Sequence, residues 1–565
     1  MNDRAPSTPP EPSTQAETPD AYGAYPRLDA PQIDALAARG SRRTAEAGDV
    51  LFREGDEPYD FFVVVSGKVA NVADHGTPEE RVISVHGAGR FLGELGVLTG
   101  QPSFFTAVVV EAGEVLDVTP EALREVVAHD PALGDLILRA FLVRRSVLIE
   151  VGVGVRIVGS CYSQDTRRLR EFAARNRLPH RFVDLDKDAG VEKLLRSLDF
   201  RPEDTPIVIL GGHHVLRNPS NAELAQRLGL LVPEPPTTLH DLVVVGAGPA
   251  GLAASVYAAS EGMAVITLDS VATGGQAGTS SRIENYLGFP SGISGAELAE
   301  RAVLQAEKFG ARMHIPATAA ALKQDAGHYV VDVEDGRPVL GRSVLIATGA
   351  RYRRLPVPRL EEFEPTSIYY AATQQEALWC GRVPVAVVGG GNSAGQATLF
   401  LSNTASRVTL LVREDDLGKN MSRYLVDQIR RLPQVEVRTH TEVRELVGDG
   451  TLETLVVEDN HTGKREDVPA RALFVFIGST PCTWWLGDDV ARDENGFVRT
   501  GSDIERDGSY PRTFLETSLP GVFAAGDVRS GSIKRVASAV GEGAMAVRLS
   551  YAHLTRGEGY TVGRR

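Results

Sequence analysis

The first 25 residues, MNDRAPSTPPEPSTQAETPDAYGAY, are dense in Pro, Ser, Thr and acid and carry almost nothing to bury. That composition predicts a disordered tail over 1–26. From residue 27 the pattern changes. A helix-like opening is followed by short apolar runs at 60–65, 82–85 and 105–110, separated by Gly-containing turns. Short strands at regular spacing predict a β-barrel or jelly roll. Over 131–150 (PALGDLILRAFLVRRSVLIE) apolar residues recur every three or four positions, the period of a helix with one buried face. A second pattern then begins: strand 155–159, helix 165–175, strand 180–186, helix 191–198, strands 206–210 and 214–217, helix 222–228. The stretch VPEPPTT (232–238) is a linker by composition. Beyond it apolar strands and helices alternate to the end, with two Gly-rich strand-to-helix turns, which predicts parallel sheets in α/β domains.

Composition narrows the class. A chain of 565 residues is expected to hold three or four domains at about 100–200 residues each. No apolar run approaches the ~20 residues of a membrane span, and the N-terminus lacks the apolar core of a signal peptide. A net charge of −14 argues against a nucleic-acid footprint, which needs clustered Lys and Arg. The three cysteines, Cys161, Cys380 and Cys482, form no CxxC pair. This fits a cytoplasmic protein and excludes a cysteine-rich zinc site, and no metal is expected.

The chemistry lies in the glycine turns. An apolar strand (242–245) runs into GAGPAG, in which Gly246 makes the turn, Gly248 admits a pyrophosphate and Gly251 lets the following helix pack on the strand. The helix N-terminus offers unpaired N–H groups to the phosphates. The next strand ends in Asp269, placed to accept from a ribose 2′-OH. A second strand (385–388) runs into GGGNSA, with Gly389, Gly391 and Ala394 in the corresponding places, and the strand after it leads to Arg413. An Arg there suits the 2′-phosphate of NADP, whereas an acid selects NAD. Glu414 follows at once, so NADPH and NADH both stay open, as does an ordinary surface charge. Two such folds in one chain point to FAD and a nicotinamide dinucleotide. Further marks are Ala347-Thr348-Gly349, Gly274-Gly275-Gln276, and Gly526-Asp527-Val528, whose carboxylate can accept from a flavin ribityl hydroxyl.

With IENYLGFP (283–290), GGGNSAGQATLFLSNTASRVTLL (389–411), IGSTP (477–481), VFAAGDV (522–528) and IKRVASAVGEGAMA (533–546), residues 238–555 resemble the low-molecular-weight thioredoxin reductases. The resemblance implies an FAD-binding domain in two segments, 239–357 and 478–560, with an NAD(P)H-binding domain, 358–477, inserted between them. It implies FAD contacts at Gly246, Gly248, Gly251, Asp269, Gln276, Asn285, Asp527, Arg535, Val536 and Ala537. It also implies a homodimer. That family carries a CxxC before the second glycine turn, where two thiols relay electrons from the flavin to a disulfide. The matching stretch here, 366–374 (TSIYYAATQ), has no cysteine. Cys380 and Cys482 each stand alone, so no protein residue is assigned a catalytic role and ordinary thioredoxin-disulfide reduction is not expected.

Two N-terminal modules resemble other families. Residues 154–231, through VRIVGSCYSQDTRRLREF and Thr205-Pro206, resemble a glutaredoxin or thioredoxin-like module. Its CPYC site is replaced by Ser160-Cys161-Tyr162-Ser163, leaving a docking role or a one-thiol role for Cys161. Residues 27–150, through AGDVLFREGDEPYDFFVVVSGKV and FLGELGVLTGQP, resemble the cyclic-nucleotide-binding jelly roll. That makes Gly93, Glu94 and Leu95 a candidate nucleotide-effector site, with Glu94 on the ribose 2′-OH. Ser103 stands where that family's phosphate-binding Arg belongs. Loss of its charge-assisted contact argues against tight cyclic AMP or cyclic GMP binding. The expected function is hydride transfer from NAD(P)H to FAD and on to an unidentified acceptor, regulated by the N-terminal modules. The alternatives are a redox or nucleotide sensor without rapid turnover, and disulfide reduction through thiols outside a CxxC.

Overall fold

A computed structural model describes residues 16–187, 201, 204–211, 214–231, 235, 237–280, 283, 285–325, 327–334, 336–364, 366–370, 372, 381–504 and 513–555. The expected helix at 191–198 and Cys380 lie outside the described residues. The chain divides into one unit of 1–349 with 483–565 and a second of 350–482.

The first unit opens with a jelly roll. One antiparallel sheet runs in the order Ser41–Ala45, Gly113–Val118, Phe61–Val64; the other runs Val50–Phe52, Thr106–Glu111, Lys68–Ala73, Arg81–Gly87. Two helices close it, Pro120–His129 and Pro131–Val151. The second is capped by Asp130, whose carboxylate accepts from Ala132 and Leu133 N–H, and it stops at Gly152 in the left-handed region.

The tail assigned to 1–26 needs correction from residue 16 onward. Thr18 exchanges hydrogen bonds with Val85, donating from its backbone N–H and accepting at Oγ1. Ala24 and Tyr25 are buried. The buried guanidinium of Arg144 donates to Ala24 O at 2.7 Å, and its other nitrogens donate to Gly93 O and Phe91 O. Backbone pairing and a few contacts dock a segment that is polar by composition.

The following module has one four-stranded sheet, in the order His214–Arg217, Ile207–Leu210, Val155–Gly159, His180–Asp184, with only the last pair parallel. Helices Gln164–Arg175 and Asn221–Arg227 pack against it. The Thr205–Pro206 bond is cis. Leu169, Phe172 and Leu224 of this module join Phe61, Phe91 and Phe141 of the jelly roll in one buried cluster. A Cβ on Gly154 would stand 2.9 Å from the Phe104 ring, so the two modules meet without a gap.

The rest of the first unit is a seven-stranded sheet. Arg312–His314, Val265–Leu268, Leu239–Val245, Pro338–Ile346 and Val522–Ala524 run parallel, while His328–Val333 and Ala319–Asp325 add an antiparallel hairpin to the first half of Pro338–Ile346. Continuous apolar strands of this kind are buried on both faces. Helices Pro249–Ser260, Gly295–Lys308 and Val536–Thr555 cover it.

The second unit repeats the theme. Its parallel sheet runs Ile368–Tyr369, Ala472–Val475, Pro384–Val388, Arg407–Leu411, Val435–Arg438. A three-stranded antiparallel sheet, Thr441–Asp449, Thr451–Asp459, Arg465–Pro469, joins it.

Candidate functional site

The first glycine turn is built as its sequence requires. Gly246 has φ +110, and a Cβ there would stand 2.3 Å from Ala347 O. A Cβ on Gly251 would stand 1.8 Å from Gly246 O, which bars any larger residue where helix meets strand. Gly248 is the N-cap of Pro249–Ser260, and its missing Cβ faces nothing nearer than Gly275 Cα at 3.9 Å. The opening lies over a helix N-terminus, where a pyrophosphate binds. Asp269 sits at the end of Val265–Leu268, as expected. Its Oδ2 accepts from Ala247 N–H at 2.9 Å and its Oδ1 from Val271 and Ala272 N–H, so it also braces the turn.

The C-terminal segment brings a second helix N-terminus to the same place. Val536–Thr555 packs so closely on Pro249–Ser260 that a Cβ on Gly543 would stand 2.1 Å from Ala250 O. A Cβ on Gly526 would meet the Cβ of both Ala250 and Ala539, at 3.1 and 3.7 Å. Asp527 is therefore held against the first turns of two helices, with Val536 and Ala537 at the head of one and Arg535 just before it. Burial raises the Asp527 pKa, and nearby Lys534 opposes the rise. Sequence reasoning missed what fixes this turn. Glu542 accepts from Gly526 N–H at 2.7 Å and pairs with Arg529 at 2.5 Å; nothing local in sequence links the three. Gln276 and Asn285 are exposed, Gln276 just before the short Ala277–Thr279 turn and Asn285 in the loop after Ile283. The two-helix cradle with its glycine openings fits FAD.

In the second unit Gly389 has φ +143, and a Cβ there would lie 2.3 Å from Phe476 O. Gly391 caps Asn392–Leu401. Ala394 is fully buried in the helix's first turn. Arg413 reaches solvent with its side chain 75% exposed, its Nε donating to Glu414 at 2.9 Å. The Glu414 carboxylate turns back to within 3.1 Å of where a Gly390 Cβ would be. An acid and a guanidinium thus share this strand end.

The two described thiols, Cys161 and Cys482, are poorly placed for redox chemistry. Ser163 caps the Gln164–Arg175 helix and Ser160 donates to Asp186 at 2.6 Å. Burial, followed by Asp184 and Asp186, pushes the Cys161 pKa up, opposite to an activated thiolate. Cys482 is buried.

In the jelly roll, Glu94 is the N-cap of Leu95–Thr99 and has no solvent exposure. Oε1 accepts from Gly96 N–H at 2.7 Å and Tyr59 OH at 3.3 Å. Oε2 accepts from Arg145, which also donates to Gln101. These bonds use the lone pairs a ribose hydroxyl needs. Ser103 is buried and donates to Phe105 O at 2.7 Å, inside its own turn. Gly93 and Leu95 flank Glu94 as expected. Tyr59, Gln101 and Arg145 are partners that sequence reasoning did not single out.

Residues 240–543 match the family model of pyridine nucleotide-disulphide oxidoreductases, and residues 42–130 match that of the cyclic nucleotide-binding domain. A thioredoxin reductase of Eremothecium gossypii is 35% identical over 320 residues, covering 54% of this chain and 95% of that protein. A Clostridium pasteurianum protein described as a 34.2 kDa protein in a rubredoxin operon is 33% identical, covering 55% of this chain and 96% of its own. The solved thioredoxin reductase of Giardia duodenalis shares the fold, at 24% identity and a TM-score of 0.50, covering 56% of this chain and 100% of that one. With glycine cradles for two dinucleotides and a match over more than half its length, the chain belongs to the pyridine nucleotide-disulphide oxidoreductase family, as a thioredoxin reductase-like, FAD-dependent NAD(P)H oxidoreductase fused to a cyclic nucleotide-binding jelly roll.

Proposed function

We propose that this enzyme delivers electrons from NAD(P)H to an acceptor outside its own chain, without a thiol relay. The observation that carries this reading is the pair of intact glycine cradles in a chain with no CxxC. FAD, when bound, supplies the two-electron carrier between nicotinamide and acceptor. Residues 239–357 and 478–560 form its domain. Gly246, Gly248 and Gly251 admit its pyrophosphate, Asp269 holds the adenosine ribose, and Asp527 accepts from the ribityl chain. Gln276, Asn285, Arg535, Val536 and Ala537 complete the contacts. Gly389, Gly391, Ala394 and Arg413 hold the nicotinamide dinucleotide in 358–477.

The acceptor is a small redox protein. The relative from a rubredoxin operon favours that class over a disulfide, and the buried Cys482 and high-pKa Cys161 do not supply an exchanging pair. The enzyme works as a cytoplasmic homodimer; no described helix is long and apolar enough to cross a membrane. The N-terminal modules regulate it, and the saturated Glu94 makes cyclic AMP a poor ligand.

The test is an anaerobic absorbance titration with NADPH and, separately, NADH. Bleaching of the flavin bands by stoichiometric reductant is expected. Bound flavin that stays oxidised with both reductants refutes the reading and leaves only the sensor alternative.

A further inference from the structure

A cavity of about 890 Å³ opens where the jelly roll, the 155–231 module and the FAD-binding domain meet within the first unit. Its size lies in the range of small-molecule sites. Gly246, Gly248, Gly251, Asp269 and Asp527 are not among its lining residues, so it is distinct from the FAD cradle. It does reach Gly275, where a Cβ would stand 3.0 Å from Gly248 Cα. Its contents therefore rest against the loop that backs the phosphate turn.

The walls combine apolar side chains with both acids and arginines. The Gly295–Lys308 helix presents one stripe to the cavity, with Val303 and Leu304 between Glu300 and Glu307, at the spacing that stacks side chains on one helix face. Burial pushes the Glu307 pKa up to about 7, against the pull of Arg124. Glu300 lies 2.9 Å from Arg177, yet the two are misaligned. Neither Glu300 Oε2 nor Arg177 Nε makes a hydrogen bond, although the Glu300 side chain is only 9% exposed. The two charges form a largely buried ion pair on the cavity wall. Arg124 and Arg175 face the cavity from the other two modules, together with Leu95, Gln101 and Arg145 of the jelly roll, so the cavity adjoins the outer side of the Gly93–Leu95 turn. Glu171, one helical turn before Arg175, stands 4.0 Å from its guanidinium, beyond hydrogen-bond range.

We infer that this cavity, rather than the barrel interior, is the effector site of the N-terminal modules, and that it takes a purine nucleoside monophosphate. The apolar stripe suits a planar base, Glu300 and Glu307 accept from its N–H groups, and Arg124 and Arg175 suit its phosphate. The site stands independently of the electron acceptor, because binding is read directly.

Calorimetric titration of the full-length, FAD-loaded protein with AMP, and separately with inorganic phosphate, tests it. One AMP per chain is expected, bound at least tenfold more tightly than phosphate. Glu307→Gln weakens AMP at least tenfold. Val303→Trp, which fills the cavity, abolishes binding, with the flavin absorbance band as the check on folding. Ser84→Val, inside the barrel, leaves binding unchanged. Absence of AMP binding at millimolar concentration, affinity no better than that of phosphate, or binding undiminished by both Glu307→Gln and Val303→Trp overturns the proposal.

Discussion

Arg145 donates to one oxygen of Glu94 through both Nε and Nη2, at 3.0 and 2.7 Å, with both side chains closed to solvent. Removing one partner of a buried pair strands the other charge and costs about 3–5 kcal/mol, whereas replacing both with apolar residues is often neutral or better. Glu94→Ala is expected to destabilise the jelly roll by that amount in denaturant unfolding of the full-length chain. Glu94→Leu combined with Arg145→Met recovers most of the loss. Equal damage from the single and double replacements refutes this account.

Glu54 gives the jelly roll a pH dependence. Burial raises its pKa from 4.5 to about 7, with Arg156 opposing. Between those values the folded chain keeps a proton that the unfolded chain has released. Its contribution is therefore full below about pH 4.5 and is lost as pH rises to about 7. Glu54→Gln is expected to stabilise the protein at pH 8 by up to about 3 kcal/mol and to change little at pH 4. Parallel stability curves for the two proteins refute the assignment.

Much of this fold was legible in sequence. The strands at Val155–Gly159 and His214–Arg217 fall where the apolar pattern places them, and the long helix differs from 131–150 by one residue. Strong periodicity over a whole element leaves little to tertiary context. The Gly246–Gly251 turn was equally readable, because each glycine answers a local clash. The role of Arg145 was not. In the helix it is one of two adjacent arginines, and its burial follows from Glu94, 51 residues away. Glu542 was missed for the same reason: its partners Gly526 and Arg529 come from another element. The docking of residues 16–25 rests largely on backbone bonds, which composition does not encode.

Gly251→Ala tests the FAD cradle. Its Cβ would lie 1.8 Å from Gly246 O, so helix and strand must separate. The purified variant is expected to lack the flavin absorbance of the wild type; full flavin content would refute the cradle's assignment.

Arg413 bears on the choice of nicotinamide dinucleotide. Its exposed guanidinium has nitrogens beyond the Nε that Glu414 holds. A charge-assisted contact to a 2′-phosphate is worth about 1.5–3 kcal/mol. Arg413→Ala is expected to raise the KM for NADPH about 10–100-fold and to leave that for NADH unchanged in stopped-flow flavin reduction. An equal effect on both makes Arg413 a surface charge.

Cys161 is expected to react with iodoacetamide at pH 7 more slowly than an ordinary exposed cysteine, because burial and then Asp184 and Asp186 favour the protonated thiol. Cys161→Ser is expected to leave turnover unchanged. Rapid alkylation at pH 7 would restore a redox role.

The buried cluster shared by Phe172, Leu169 and Leu224 with the jelly roll's Phe61, Phe91 and Phe141 bears on why a thiol-poor module persists. This one shares a buried apolar cluster with its neighbour, so deleting it exposes apolar surface on the jelly roll. The turn at 160–163 is open to drift while the packing positions are not. Variation between related chains should therefore gather at 160–163 and thin out along the inner faces of Gln164–Arg175 and Asn221–Arg227.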